Sequence, residues 1–181
     1  MTISLHDGYY ISPVQDGDQP AYVEHLRDRE TTDYLLRVPF PYTQEDAESW
    51  VRHCTGQTAI GRPSNFAFRR PDGFLIGSIG LVMGTGPSRH RAELGYWLAK
   101  DYRGRGLATA GTRAVVRFGF SELDLKRIEA TTSTENQPSQ KVLEKAGFTR
   151  EAFLAAYHFK DGNLIDVYLF SLLETQLRSR Q

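Results

Sequence analysis

The chain holds a single cysteine, Cys54, so no disulfide can form within it. Its histidines, His6, His25, His53, His90 and His158, lack the paired spacing of a zinc site, and no metal is expected. No run approaches the roughly 18 consecutive apolar residues of a membrane span. The opening MTISLHDGYYISPVQDGDQP has neither a basic leader nor an apolar core. A cytoplasmic protein without membrane attachment is expected. With 22 Lys+Arg against 22 Asp+Glu, the formal net charge is zero, which removes the sequence-wide attraction that non-specific nucleic-acid binding draws on. No direct nucleic-acid partner is expected, and any anion site must be local. The run G-x-x-x-x-G-K-[ST] of a P-loop is missing as well.

What is present fits one globular domain over residues 1–181. The composition is 40% hydrophobic and 24% charged, near the average for such domains. A chain this long buries roughly two-thirds of its unfolded surface. Tyr9 to Val14 reads as a strand. Asp18 can cap a helix with Pro20 in its first turn and Val23 and Leu26 on one face. Glu30 to Tyr42 is aromatic and broken by proline, hence loop or short helix. Thr43 caps a second helix whose Ala47, Trp50, Val51 and Cys54 form an apolar stripe.

Asn65 to Arg70, Phe74 to Met83 and Arg91 to Lys100 read as an antiparallel meander. Leu107, Gly111, Ala114, Val115 and Phe118 mark a helix, and the β-branched Arg127 to Thr132 a strand parallel to the one before that helix. Asn136 caps a further helix that stops at Gly147. Phe148 to Phe159 and Leu164 to Glu174 form a hairpin about Asp161-Gly162. The order βααβββαβαββ predicts an α/β fold, a mixed and mostly antiparallel sheet with helices on both faces.

The stretch richest in chemistry is Tyr102-Arg103-Gly104-Arg105-Gly106-Leu107-Ala108-Thr109, between a strand and the first turn of a helix. Two glycines let successive amides converge on an anion, the helix start adds its positive dipole end, and Arg103 and Arg105 supply local charge. This reads as a diphosphate cradle. A dinucleotide fold is disfavoured: Thr109 stands at its third glycine position, and Glu129 lies mid-strand rather than at a strand end.

Arg103-x-x-Gly106-x-Ala108 resembles the R/Q-x-x-G-x-G/A signature with which the GNAT N-acetyltransferase superfamily holds the pyrophosphate of acetyl-CoA. Pro39-Phe40-Pro41-Tyr42-Thr43-x-Glu45-Asp46-Ala47, Glu93-Leu94-Gly95-Tyr96-Trp97-Leu98, and Asn136-x-x-Ser139 with Leu143-Glu144-Lys145-Ala146-Gly147-Phe148 resemble its Rim-like ribosomal-protein N-terminal acetyltransferase branch. The likeness runs in order from about Tyr9 to Glu174. It implies a splayed pair of central parallel strands, with the strand carrying Trp97 diverging from that carrying Glu129 and the pantetheine arm entering the gap. Backbone amides around Trp97, Leu98 and Ala99 would bind pantetheine and the thioester oxygen. Arg103, Gly104, Arg105, Gly106, Ala108 and Thr109 would bind the diphosphate. Asn136 and Ser139 would meet the pantetheine end, with Ser139 aiding the departing sulfur; a serine there can also simply solvate the first turn. Many superfamily members use a tyrosine seven residues after the asparagine, where this chain has Leu143. Tyr34, Leu35, Tyr42 and Tyr96 would wall the acceptor pocket, while Phe40 is expected in the core.

Glu93 is the leading base: its strand is apolar on both faces, an environment that raises a carboxylate pKa. Glu129 ranks second, and Asp166, Tyr157 and His158 third. An α-amine has pKa about 7.7–8.0 and lysine about 10.4, so their neutral fractions at pH 7 differ by over a hundredfold, or roughly 3 kcal/mol. A modest base therefore suits a terminal amine. The expected activity is acetyl transfer from acetyl-CoA, without metal, to a protein N-terminus or small-molecule amine, by a monomer or homodimer. A bulkier acyl-CoA such as succinyl-CoA, or a non-catalytic CoA-binding module, are the alternatives.

Overall fold

The computed structural model describes residues 2–59 and 61–178. The chain forms two compact units, Met1–Gly80 with Tyr96–Gly111, and Leu81–Gly95 with Thr112–Gln181. Three elements run from one unit into the other: β4 (Leu75–Met83), β5 (Arg91–Leu98) and α4 (Leu107–Glu122).

In the first unit, β1 (Ile3–Ser4), β2 (Tyr10–Pro13), β3 (Asn65–Arg69) and the start of β4 pair antiparallel in sequence order. The short β1 was not expected from the sequence. Three helices accompany them: α1 (Gln19–Leu26), α2 (Arg29–Thr32) and α3 (Gln44–Ala59). Thr43 does cap α3, accepting the Asp46 amide at 3.2 Å while the Asp46 carboxylate takes the Thr43 amide at 2.8 Å. The α3 stripe Ala47, Val51 and Cys54 is buried against Tyr22, Leu26 and Leu75, and Trp50 is half-buried. A fully buried side chain of this size contributes about 1.5–3 kcal/mol. Burial pushes the Cys54 thiol up to about 12, which keeps it protonated.

Asp18 corrects the sequence reading. It stands at the α1 N-cap but makes no capping bond there. Its two carboxylate oxygens instead accept from the two terminal nitrogens of Arg69, each at 2.8 Å, in an ion pair only 2% and 6% exposed. Arg69 spends its remaining N–H groups on Ser12 Oγ (2.7 Å) and the Gly73 and Pro13 carbonyls (3.1 and 3.3 Å). Both charges are thus fully satisfied across 51 residues of sequence, a pairing that local spacing cannot reveal. Removing one partner leaves a buried charge uncompensated.

In the second unit, β6 (Arg127–Ser133) pairs parallel with β5 over Arg91–Glu93 against Arg127–Glu129. The ladder ends at Glu93 and Glu129, although β5 continues to Leu98 and β6 to Ser133. On its other side β6 pairs antiparallel with β8 (Asn163–Leu173) along its whole length, and β8 pairs with β7 (Thr149–Lys160). Asp161 and Gly162 turn the hairpin with φ of 50° and 82°, as a two-residue turn requires. Asn136 caps α5 (Gln137–Ala146), and Gly147 ends it in the left-handed conformation at φ 102°. A short α6 (Glu174–Arg178) follows β8. The result is a mixed α/β fold whose pairs are antiparallel except for β5 with β6.

Arg127 joins β6 to β7 by clasping Glu151 at 2.5 and 3.0 Å, and Ser171 Oγ donates to the same carboxylate. These hydrogen bonds hold Glu151 down to about 2 from its ordinary 4.5. A depressed carboxyl contributes stability above its unfolded pKa and loses it as pH falls through the folded one. Melting temperature is therefore expected to drop between about pH 4.5 and 2 less steeply in Glu151→Gln than in the wild type; parallel curves would contradict this. At neutral pH, Asp18→Ala is expected to cost about 3–5 kcal/mol in urea unfolding, and a loss below about 1 kcal/mol would show that the pair is dispensable.

Candidate active site

The bend between β5 and α4 is shaped by bonds that leave its amides unclaimed. After β5 the chain makes a single turn, Lys100–Tyr102, in which the Tyr102 amide bonds Ala99 O at 3.0 Å and the Arg103 amide bonds Lys100 O at 3.2 Å. Gly104 and Gly106 then take φ of 74° and 80°, which side chains rarely adopt. The first bond into α4 is donated by Ala110 to Gly106 O at 3.0 Å. The preceding amides of Leu107, Ala108 and Thr109 stand in the first turn, where no helical carbonyl reaches them. Residues 103–106 are exposed. A Cβ added at Gly104 would meet nothing within 4 Å, and one at Gly106 would meet only His6 Nε2, at 3.6 Å. The bend presents exposed backbone donors at a helix start, an arrangement whose sign suits an anion.

The two arginines divide their labour. Arg103 braces the bend: its Nε donates to Leu98 O at 3.0 Å, and its terminal nitrogens donate to Thr31 Oγ1 (2.9 Å) and Glu30 Oε1 (3.4 Å). Glu30 also takes Lys100 Nζ at 2.7 Å. Arg105 stays exposed, donates to the Tyr9 hydroxyl Oη at 3.3 Å and lies over the Tyr102 ring at 5.5 Å, so it is the arginine that keeps its charge at the bend. Sequence patterning pointed to neither Tyr9 and His6 nor Glu30 and Thr31, because they reach the bend only through the tertiary fold.

Just upstream, the Trp97 ring packs edge-on to Tyr22 (5.9 Å) and His25 (6.2 Å). Leu98 is buried. A Cβ at Gly77 would lie 2.4 Å from Trp97 O and 2.7 Å from Leu98 Cδ2, so only glycine admits this stretch of β5. Ala99 requires correction. Its amide already donates to Ile76 O at 2.9 Å and its carbonyl accepts from Tyr102, so its backbone anchors the strand end and has no donor left for pantetheine.

Of the acceptor-loop residues, Tyr34 is 50% exposed, Leu35 is half-buried against the core cluster and Tyr96 on β5 is half-buried. Two aromatic assignments exchange places. Tyr42 sits in the core beside Ala47 and Cys54, with burial pushing its phenol pKa up. Phe40, expected inside, is 39% exposed beneath the Arg29 guanidinium at 4.6 Å.

The second unit holds the candidate acid and base. Glu93 is half-buried at the last parallel pair, and its Oε1 accepts from Thr131 Oγ1 at 3.2 Å. Glu129, its Cα partner across the ladder, is committed to Arg91 and to Arg127 Nε (2.9 Å). That double pairing makes it a structural anion. Asp166 accepts the Ala156 amide at 2.7 Å, and Tyr157 is 54% exposed. His158 Nε2 lies 3.3 Å from Thr131 Oγ1, so the third-ranked histidine joins the first-ranked glutamate through a shared hydroxyl. Asn136 Oδ1 accepts the Ser139 amide at 3.1 Å, bringing those two together in the first turn of α5, where Ser139 is half-buried. Leu143 is fully buried, so no tyrosine-like acid is presented from its position.

The family profile of the acetyltransferase (GNAT) domain matches residues 9–149. The uncharacterized N-acetyltransferase p20 of Bacillus licheniformis is 32% identical over 160 residues, covering 88% of this chain and 89% of its own. The GNAT-family acetyltransferase of Bacillus anthracis superposes with a TM-score of 0.83 at 28% identity, covering 97% and 99% of the two chains. Mycobacterium smegmatis RimJ, solved with a CoA-disulfide, superposes at 0.77 with 27% identity over 93% of this chain and 83% of its own.

Gly106→Glu puts bulk and negative charge into the bend at a left-handed φ. It is expected to abolish CoA binding in calorimetric titration while the protein stays folded; unchanged affinity would remove the bend from the site.

Proposed function

Because the chain belongs to the GNAT acetyltransferase family, whose profile spans 141 of its 181 residues counted from 9 through 149, we propose that it transfers acetyl from acetyl-CoA to a protein N-terminal α-amine or a small-molecule amine. The observation that carries this reading is the open bend of amides from Gly104 to Thr109, braced from behind by Arg103. The profile draws on residues of both compact units, which supports reading the chain as one catalytic domain. A cytoplasmic setting goes with this reading. When bound, acetyl-CoA supplies an activated acyl thioester. Gly104, Arg105, Gly106, Ala108 and Thr109 bind its diphosphate, and the amides near Trp97 and Leu98 take the pantetheine and thioester oxygens.

In this reading Glu93 is the base. Glu129 is spent on two arginines, whereas Glu93 Oε1 accepts from the Thr131 hydroxyl, a weaker claim on a carboxylate than a guanidinium. Ser139 presents its hydroxyl to the leaving sulfur, from a turn fixed by the Asn136 cap. Tyr34, Leu35 and Tyr96 wall the acceptor. An α-amine is favoured over lysine because far more of it is neutral at pH 7.

Thiol release is measured against peptides beginning with Ala or Ser, polyamines and aminoglycosides. Saturable turnover is expected with the peptides or another single amine class; CoA binding without release for any amine would leave a non-catalytic module. Glu93→Gln is expected to lower kcat about a hundredfold, and Ser139→Ala to lower kcat with acetyl-CoA affinity retained. Wild-type turnover in either variant removes that residue from the chemistry.

A further inference from the structure

The Thr131 hydroxyl stands between two proton acceptors, 3.2 Å from Glu93 Oε1 and 3.3 Å from His158 Nε2. A hydroxyl has one proton to give. When Thr131 donates to an ionised Glu93, it can only accept from His158, whose Nε2 must then carry hydrogen. When Glu93 is protonated and donates to Thr131, the hydroxyl proton is free to pass to a bare Nε2. The three groups therefore have two hydrogen-bonded arrangements that differ by one proton moved from the carboxyl to the imidazole.

The fold builds this contact deliberately. Between Leu154, opposite Val167, and His158, opposite Ile165, the stretch Ala155–Tyr157 of β7 bulges against the single residue Asp166 of β8. Ala156 takes φ of 50°, and the Asp166 carboxylate pins its amide at 2.7 Å. Bulges of this kind re-aim side chains next to functional sites, and this one is followed directly by His158. The Tyr157 ring packs edge-on to the imidazole at 4.8 Å.

Acetylation of an amine that arrives as ammonium takes two protons from nitrogen. One reaches the leaving thiolate and one must return to solvent. We propose that Thr131 and His158 form the exit for that second proton, as positioning residues that act through Glu93. With the neutral imidazole carrying its proton on Nδ1, Glu93 takes the proton from nitrogen. Its O–H then passes a proton to Thr131 Oγ1 as the Thr131 proton passes to His158 Nε2, and the imidazolium gives its Nδ1 proton to solvent. Exchange of the remaining ring proton through solvent returns it to Nδ1 and leaves Nε2 bare for the next turnover. No bond other than O–H and N–H changes, and the net product is one proton in solvent. An imidazole is ordinarily about a hundredfold the stronger proton acceptor than a carboxylate, so the shift runs outward. Charged and titratable groups beside the relay include Tyr157 of β7, whose ring meets the imidazole, Asp166 of β8, held on the Ala156 amide, and Glu129 of β6, paired with Arg91 and Arg127.

This inference rests on Glu93 being the base, and four variants separate the two. Thr131→Ser keeps the hydroxyl; Thr131→Val keeps the shape without it. His158→Gln keeps a hydrogen-bonding side chain that cannot titrate. Circular dichroism and acetyl-CoA affinity report that each is folded. The expected result is near wild-type kcat in Thr131→Ser, and kcat about tenfold lower in Thr131→Val and His158→Gln with KM unchanged. In those two variants the pH–rate profile also loses the limb that reports the imidazole. A structural histidine would be replaced by glutamine without moving that limb. Wild-type kcat and pH profile in Thr131→Val and His158→Gln, alongside an inactive Glu93→Gln, would overturn the relay and leave the base standing. An active Glu93→Gln would overturn both.

Discussion

The bend after β5 takes its shape from Arg103, which is bonded behind it. A guanidinium that reaches back to the Leu98 carbonyl, Thr31 and Glu30 fixes where the chain leaves the strand. The amides that follow then have no carbonyl in reach, since Ala110 is the first residue to close a helical bond. Backbone donors held this way are preorganised for an anion. Their position depends in turn on Gly77, which alone lets the Trp97 carbonyl approach β4, and on the Ala99 amide bonded to Ile76.

The second unit meets a different constraint. A parallel ladder that stops at Glu93 and Glu129 leaves the rest of β5 and β6 without mutual pairing while β8 still holds β6 along its length. Two carboxylates come side by side where the ladder stops, and the fold treats them differently: Glu129 receives two arginines, Glu93 a hydroxyl. Environment rather than residue type distinguishes these two glutamates, since one is bound to two guanidinium groups and the other meets a hydroxyl.

Local rules made most of the elements legible before any coordinates. Amphipathic spacing located α3 and α4; Thr43, Asn136 and Gly147 marked helix ends through short-range bonds; Asp161-Gly162 fixed the hairpin turn. The glycines of the bend were legible for the same reason, since a strand, two glycines and a helix start lie together in sequence. Misreadings came wherever a distant partner decided. Asp18 has the right chemistry for a cap, but a buried Arg69 outcompetes an amide for its carboxylate. Hydropathy alone cannot tell that Tyr42 turns inward while Phe40 lies under Arg29 at the surface. Nor could spacing join His158 to Glu93, because a bulge shifts the register of β7 before the histidine.

The claim that the bend holds coenzyme A is tested most directly by amide hydrogen exchange with and without the coenzyme. Slowed exchange at Gly104 through Thr109 on adding CoA is the predicted result. Protection appearing elsewhere while those amides exchange as before would contradict it.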